Sequence, residues 1–362
     1  MGRYSIAVLP GDGIGPEVVR EALKVLGAVQ ESTPGLKLDF AQYEVGAGLW
    51  LRTGVALPDE VFVACQQADA ILLGACGLPS VRLPDGTEAH GEVMFRLRFQ
   101  LDLYAGVRPI KLYPGVRGAL RSSQPIDYVI VRENCEGLYA SRGGGCLLRG
   151  EVATDTLIVT RVGTRKVASY AFKLAQKRAG RPTDGKRLVT CVDKSNVLRS
   201  YAFFRQVYDE VAGEYPEIGR DYAYVDAMTA WQVLWPEQYD VVVAENMFGD
   251  IISDLGAATV GGLGMAPSAD VGDRWGLFQP SHGTAPTIAG QGIANPIATI
   301  LSARMMLEWL AQRHADAEAA RAAEKMEKAV SDLLAQGKVL TSDLGGSAST
   351  SQVGDAVAEA VA

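Results

Sequence analysis

A run of roughly 18 uninterrupted apolar residues, the minimum for a membrane span, is missing from this sequence, and no membrane partner is expected. A basic stripe is missing too. Thirty-five Lys and Arg against 42 Asp and Glu leave a formal net charge of −7, which leaves little to neutralise phosphates and argues against a nucleic-acid partner. The five cysteines, Cys65, Cys76, Cys135, Cys146 and Cys191, form no CxxC or other metal-type spacing. Their odd number argues against a disulfide framework and for a reducing cytoplasm. Repeats, low-complexity linkers and an obvious cut point between domains are absent. The start, MGRYSIAVLPGDG, lacks the charged flank and apolar core of a signal peptide, and the strand pattern behind its Met-Gly argues against myristoylation.

What is present fits a soluble α/β protein. At 362 residues the chain suggests about two domains with ample core, and 48% hydrophobic residues with 40 glycines fit many tight turns. Short apolar runs alternate with helical patterns, as in a mostly parallel sheet covered by helices. SIAVLPG, ADAILLGA, IDYVIVREN, RLVTCVDK, YAYVDAM and YDVVVAENM read as buried strands, with a helix from Pro16 to about Val29 after the first. The C-terminal third reads as helices. Residues 143–163 break the rhythm: β-branched residues without helical period predict a hairpin or arm, whose apolar face needs a second subunit.

The polar residues at strand ends carry the chemistry, since loops after strands in such sheets collect functional side chains. In ENMFGDIISDLGAATVGGLG, Asp250 and Asp254 stand four residues apart with no Lys or Arg between Glu245 and Gly264. At roughly 100° per residue that step stacks two carboxylates on one helix face. A solvated face is one reading; a site for a hard cation such as Mg²⁺ or Mn²⁺ is the other. Arg98, Arg108 and Arg132 offer planar forks for a multi-carboxylate substrate. Asp226 would complete a cage of three aspartates, and Lys194 and Tyr139 suit proton transfer. Each alone has a plain structural explanation; the set points to chemistry. The turn LPGDGIGPEV lies between strand and helix as a phosphate-binding turn would, but its glycines do not make GxGxxG, which weakens a Rossmann reading. PSHGTAPTIAGQGIANP, residues 280–296, is the better nucleotide loop because it precedes a helix.

LDLYAGVRP, VRENCEGLY, VDKSNVL, ENMFGDIISDL, GGLGMAPSA and HGTAPTIAGQGIANP, in this order over nearly the whole length, resemble the metal-dependent β-decarboxylating dehydrogenases of isopropylmalate, isocitrate, homoisocitrate and tartrate/D-malate. The resemblance implies an isopropylmalate dehydrogenase-like two-domain α/β fold with a mostly parallel central sheet, not a Rossmann fold. It places residues 1–101 and 258–362 in a large cofactor-binding domain and 102–257 in a small domain. The implied reaction is NAD-dependent oxidative decarboxylation of a (2R)-malate derivative with Mg²⁺ or Mn²⁺. Arg98, Arg108 and Arg132 would hold substrate carboxylates, and Asp250 and Asp254 the metal. Asp226 would join them from the other subunit of a homodimer with shared active sites. Lys194, also from the partner, would be the base and Tyr139 the acid, with segment 143–163 as intersubunit clasp. His282, Gly283, Thr284, Ala285, Thr287, Ile288 and Asn295 would bind the cofactor.

Members of the family differ just before Arg98. There Met94 and Phe95 favour an apolar substrate tail, with core packing as the competing reading. Arg96 is expected to point elsewhere, while Arg82, His90 or Glu92 are candidates to read a polar tail. Thr287-Ile288 offers neither the Asp of NAD-type relatives nor the Lys-Tyr of NADP-type ones; lacking a cation, it favours NAD, with NADP as the alternative. Gln279 stands where relatives usually carry Glu. A substituted-malate, homoisocitrate, isocitrate or tartrate/D-malate enzyme is the alternative substrate reading, and a regulatory subunit without catalysis the non-enzyme one.

Overall fold

The structure, a computed structural model, describes residues 2–83, 86–120, 124–142 and 144–362. It is α/β throughout and divides into two compact units: Met1–Asp102, Tyr113–Arg117 and Gly261–Ala362 form the first, Leu103–Leu112 and Gly118–Val260 the second.

The first unit opens with β1 (Gly2–Gly11), α1 (Gly15–Glu31), β2 (Leu36–Gln42), α2 (Ala47–Thr53), α3 (Asp59–Gln67), β3 (Ala70–Ala75) and α4 (His90–Gln100). β1 pairs in parallel with both β2 and β3. All six residues of β3 are buried, as expected for a strand covered on both faces. In the turn after β1, the Ile14 N–H donates to Thr284 O at 2.9 Å and the Gly15 N–H to Asp12 O at 2.9 Å. A Cβ on Gly13, at φ +58°, would meet Thr284 O at 2.1 Å. These glycines therefore admit a close backbone approach, and the turn spends these donors inside the protein instead of on a phosphate.

The second unit runs β4 (Ala105–Lys111), β5 (Asp127–Glu133), β6 (Cys146–Leu148), β7 (Val152–Thr154), α5 (Arg161–Lys177), β8 (Leu188–Asp193), α6 (Arg199–Ala212), β9 (Gly219–Tyr224), α7 (Val225–Leu234), β10 (Val241–Ala244) and α8 (Asn246–Thr259). β4 and β5 are antiparallel; β5, β10, β8 and β9 follow in parallel. Ile130, Tyr128, Val242, Met228 and Ile252 pack in its core. The segment expected as an arm contains the antiparallel pair β6–β7, with Leu147 opposite Ala153 and Leu148 opposite Val152. Leu147 is 73% exposed, so this hairpin keeps its apolar face outside the core of its own chain. Gly143 lies outside the described residues, and the last three residues expected in the arm belong instead to α5, which Thr160 caps by accepting from the Gly163 N–H.

The chain returns to the first unit with β11 (Pro267–Val271), β12 (Gly276–Pro280), α9 (Ile297–His314), α10 (Ala317–Gln336) and α11 (Thr350–Val361). β12 pairs antiparallel with β11 and parallel with β3. Among the described residues no helix is long and apolar enough to cross a membrane, and the five cysteines are free thiols.

Candidate active site

In the second unit the acidic pair of α8 meets buried arginines. Glu245 caps the helix by accepting from the Met247 and Phe248 N–H groups. Gly249 lets the helix close on β5, since a Cβ there would lie 2.8 Å from Arg132 Cβ. The β4–β5 register pairs Gly106 with Arg132 and Arg108 with Ile130, which makes Arg108 and Arg132 diagonal neighbours on one sheet face. Both reach α8. Arg132 Nη1 donates to Asp250 Oδ1, while its Nε and Nη2 donate to Asn246 Oδ1 at 3.0 and 2.8 Å. Arg108 Nη1 lies 3.1 Å from Asp250 Oδ1 and 3.4 Å from Asp254 Oδ1, and donates to Ser253 Oγ at 2.7 Å.

Tyr139 completes this group. Its hydroxyl donates to Asp250 Oδ2 at 3.2 Å, and its ring lies 5.4 Å from the Arg132 guanidinium carbon. Burial raises the phenol above its ordinary pKa, Asp250 adds to the rise and Arg132 opposes it. Burial likewise raises the Asp254 carboxyl; Arg108 pulls it back and Asp250 pushes it further. Thus the acidic pair is no plain solvated face: its counter-charges come from two strands distant in sequence.

Two features fit missing ligands. Arg108 Nε is buried and finds no partner among the described residues, as a donor awaiting an anion would be. Asp250 and Asp254 side chains stay 33% and 53% exposed, so oxygen ligands of the kind hard dications prefer remain accessible.

Asp226 and Lys194 sit apart from that group. The parallel register pairs Asp193 with Tyr224, so Lys194 follows β8 directly. Asp226 lies in the first turn of α7 instead of on the strand expected through YAYVDAM. The two side chains pair with each other, and Lys194 holds the Asp226 carboxyl below its ordinary pKa. Among the described residues no three His, Cys, Asp or Glu side chains gather as a metal cage within one chain. Lys194 is backed by Asp193, fully buried, which accepts from the Ser195 N–H at 2.8 Å and from Arg205 Nε and Nη2 at 2.6 and 2.9 Å.

In the first unit, Arg98 in the last turn of α4 is buried, and its Nε donates to Asp270 Oδ2 at 2.9 Å. Met94 and Phe95 are half-buried, outside the fully buried core; Phe95 stacks on Phe99 with centroids 5.5 Å apart. Arg96 turns to α3, donating to Leu57 O and Asp59, with Phe62 beneath its guanidinium. Arg82 and His90 both pair with Glu88, and Glu92 is exposed.

The loop after β12 packs Ala285, Ile288 and Ala289 against Ile14, Val18 and Ala294. Ala285 has φ +39°, Gly283 and Thr287 are exposed, and Thr284 is buried. His282 Nδ1 bonds to Gly283 O at 2.9 Å, while Nε2 is buried without a partner among the described residues. With the proton on Nδ1, Nε2 is an acceptor that a nucleotide N–H or O–H would satisfy. Asn295 accepts from the Ile297 N–H at 3.0 Å and donates to Asp343 at 3.0 Å, so it anchors the start of α9.

One buried acid gives a pH signature. Glu133, 2% exposed, accepts from the Cys135 and Glu136 N–H groups at 2.7 Å each, yet burial pushes its pKa from 4.5 up to about 8. The native state then binds more protons than the unfolded chain between those values, so this residue makes stability fall as pH rises from 4.5 to about 8. Glu133→Gln should flatten that slope in denaturant midpoints taken across the window; an unchanged slope would discard the assignment.

Asn246, Ser253 and Asp270 escaped the sequence reading because their arginine partners lie 114 to 172 residues away. No local pattern marks them.

The chain matches the family model described as Isocitrate/isopropylmalate dehydrogenase over residues 5–357. It is 47% identical to 3-isopropylmalate dehydrogenase of Thermobifida fusca over 99% of this chain and 97% of that one. It is 44% identical to the 3-isopropylmalate/3-methylmalate dehydrogenase of Methanocaldococcus jannaschii, covering 99% of each. The crystal structure of isocitrate dehydrogenase from Methylococcus capsulatus superposes with a TM-score of 0.87 at 34% identity and 99% coverage of both chains.

Proposed function

Because the chain belongs to the isocitrate/isopropylmalate dehydrogenase family, and is thus a decarboxylating dehydrogenase, we propose that it oxidises and decarboxylates a (2R)-malate derivative with an apolar tail, using NAD and Mg²⁺ or Mn²⁺. The observation that carries this reading is the Asp250 carboxylate, which one phenol and two buried guanidiniums approach within a single unit. Arg108 and Arg132 exchange their aspartate partners for substrate carboxylates, with Arg98 as the third cation. Lys194 of the partner subunit takes the 2-hydroxyl proton, and hydride leaves C2. The carboxylate β to the new ketone departs as CO₂, and Tyr139 returns a proton to the resulting enol. Its raised pKa keeps it protonated for that task. Asp250 and Asp254, with Asp226 of a second subunit, would hold a dication, which when bound would stabilise the charge of developing oxyanions. The loop from His282 through Thr287 and Ile288 to Asn295 would hold the nucleotide, whose nicotinamide would accept the hydride from C2; no cation stands at 287 or 288 to favour NADP.

Reduced-nicotinamide absorbance tests the reading with Mn²⁺ and either NAD or NADP, against 3-isopropylmalate, D-malate, tartrate, isocitrate and homoisocitrate. Isopropylmalate turnover with NAD is expected to lead. Preference for isocitrate would remove Met94 and Phe95 as an apolar pocket. Activity on none of the five, with Mn²⁺ and NAD still bound, would favour a more specialised substituted malate.

The exposed leucines of β6–β7 support a homodimer through this hairpin. Burying a leucine is worth about 1.5–3 kcal/mol, and a two-fold interface counts each change twice. Leu147→Asp should therefore raise the dimer dissociation constant at least about 100-fold. Sedimentation at low micromolar concentration would then show monomers; an unaltered dimer removes the hairpin from the interface.

A further inference from the structure

Arg98 carries a positive charge into a site where only 6% of the residue meets solvent. One residue of the β11–β12 hairpin pairs with it, and a second pairs with that partner. Asp270, fully buried, accepts the Arg98 Nε hydrogen bond at 2.9 Å, and the same Oδ2 accepts from Gln279 Nε2 at 3.0 Å. The register pairs Ser268 with Gln279 and Asp270 with Leu277, so Asp270 and Gln279 are diagonal neighbours on one face of the hairpin. Their chemistry divides cleanly: Asp270 supplies one negative charge, and Gln279 supplies a donor with none. A carboxylate at 279 would meet the Asp270 carboxylate, and buried like charges at such range repel strongly. Holding Arg98 through Nε also fixes the plane of its fork, on which bidentate recognition of an anion depends.

We propose that Asp270 and Gln279 are positioning residues for Arg98, and that acid at 270 with amide at 279 sets the affinity for the substrate carboxylate. This rests on the reading of Arg98 as a substrate-binding cation and gives neither hairpin residue a contact with substrate or cofactor. It also accounts for a glutamine at 279: the amide satisfies Asp270 without competing for Arg98.

The test uses the full enzyme with Mn²⁺, NAD and whichever of the five hydroxy acids turns over fastest. Gln279→Glu and Asp270→Asn should each raise substrate KM about ten-fold, with kcat and the KM for NAD within about two-fold of wild type. The double variant, again with one carboxylate and one amide at Arg98, should return substrate KM to within about three-fold of wild type. The Gln279→Glu defect should grow between about pH 6 and about pH 9, because a protonated Glu donates as the amide does and an ionised one does not. Should Asp270→Asn not fold, the pH profile of Gln279→Glu decides alone. Additive losses in the double variant, a change confined to NAD, or a pH-independent defect would each overturn the proposal. Arg98→Gln separates the two layers. Unchanged KM there removes Arg98 from substrate binding, whereas raised KM with wild-type behaviour in the hairpin variants removes only the positioning role.

Discussion

Lys194→Ala should lower kcat by about 10²–10⁴, the range in which a positioned general base contributes, and leave Mn²⁺ and NAD binding within a few-fold of wild type. The expectation follows from where the residue sits. Its side chain is 27% exposed at the end of β8, where it pairs with the more exposed Asp226. Behind it, buried Asp193, paired with half-buried Arg205, keeps the strand end in place whatever occupies position 194. Single-turnover absorbance would locate the loss in hydride transfer, and titrations with Mn²⁺ and NAD would show the retained binding. Unchanged turnover would end the role of Lys194 as base. A mixed dimer distinguishes whose site it serves. Lys194→Ala and Asp250→Asn subunits, each inactive alone, should recover about a quarter to a half of wild-type activity when paired, because one site then holds an intact lysine and an intact aspartate. No recovery would place Lys194 and Asp250 in the same subunit's site.

Asp250→Asn should cost more, lowering kcat/KM by at least about 10³. This carboxylate answers to Arg132, Arg108 and Tyr139 together, so its neutralisation acts in two ways. The proposed dication loses a charged ligand, and Mn²⁺ affinity should fall by at least about ten-fold. The two arginines, 2% and 8% exposed in their side chains, lose their shared counter-charge. Breaking such a buried pair from one side typically costs about 3–5 kcal/mol. The partial exposure of Asp250 places the expected loss toward the lower end. Denaturation midpoints and Mn²⁺ titration read the two effects separately. Lost stability with unaltered Mn²⁺ affinity would leave Asp250 as a purely electrostatic partner of the arginines and remove it from the metal site.

Arginine pairing also explains why the acidic pair looked unbalanced in sequence. Within Glu245–Gly264 there is no cation, but Arg108 and Arg132 arrive from β4 and β5 on the same sheet face. The glycine turn after β1 offers the converse lesson. Its spacing invites a phosphate, whereas Thr284 lies against it and the N–H groups of Asp12, Ile14 and Gly15 are all bonded within the chain. At YAYVDAM, apolar alternation continues past the true strand end, and α7 begins at Val225. Propensity alone could not divide that run, because a short apolar stretch serves either element.

Local pattern determined a good deal here. The alternation of buried runs with helical periods specified an α/β chain, and helical geometry stacked Asp250 over Asp254. Six ordered motifs identified the family whose profile spans residues 5–357. All of these depend on residues close in sequence. Tertiary structure alone decided which charges meet: Asp250 with Arg132 across 118 residues, and Arg98 with Asp270 across 172. It decided also that Gln279 stands at the same carboxylate as Arg98, and that within one chain Asp226 answers Lys194. The physical reason is strand register. Pairing Arg108 with Ile130, or Gln279 with Ser268, depends on cooperative packing of the sheet, and a shift of one residue would turn every one of these side chains to the opposite face.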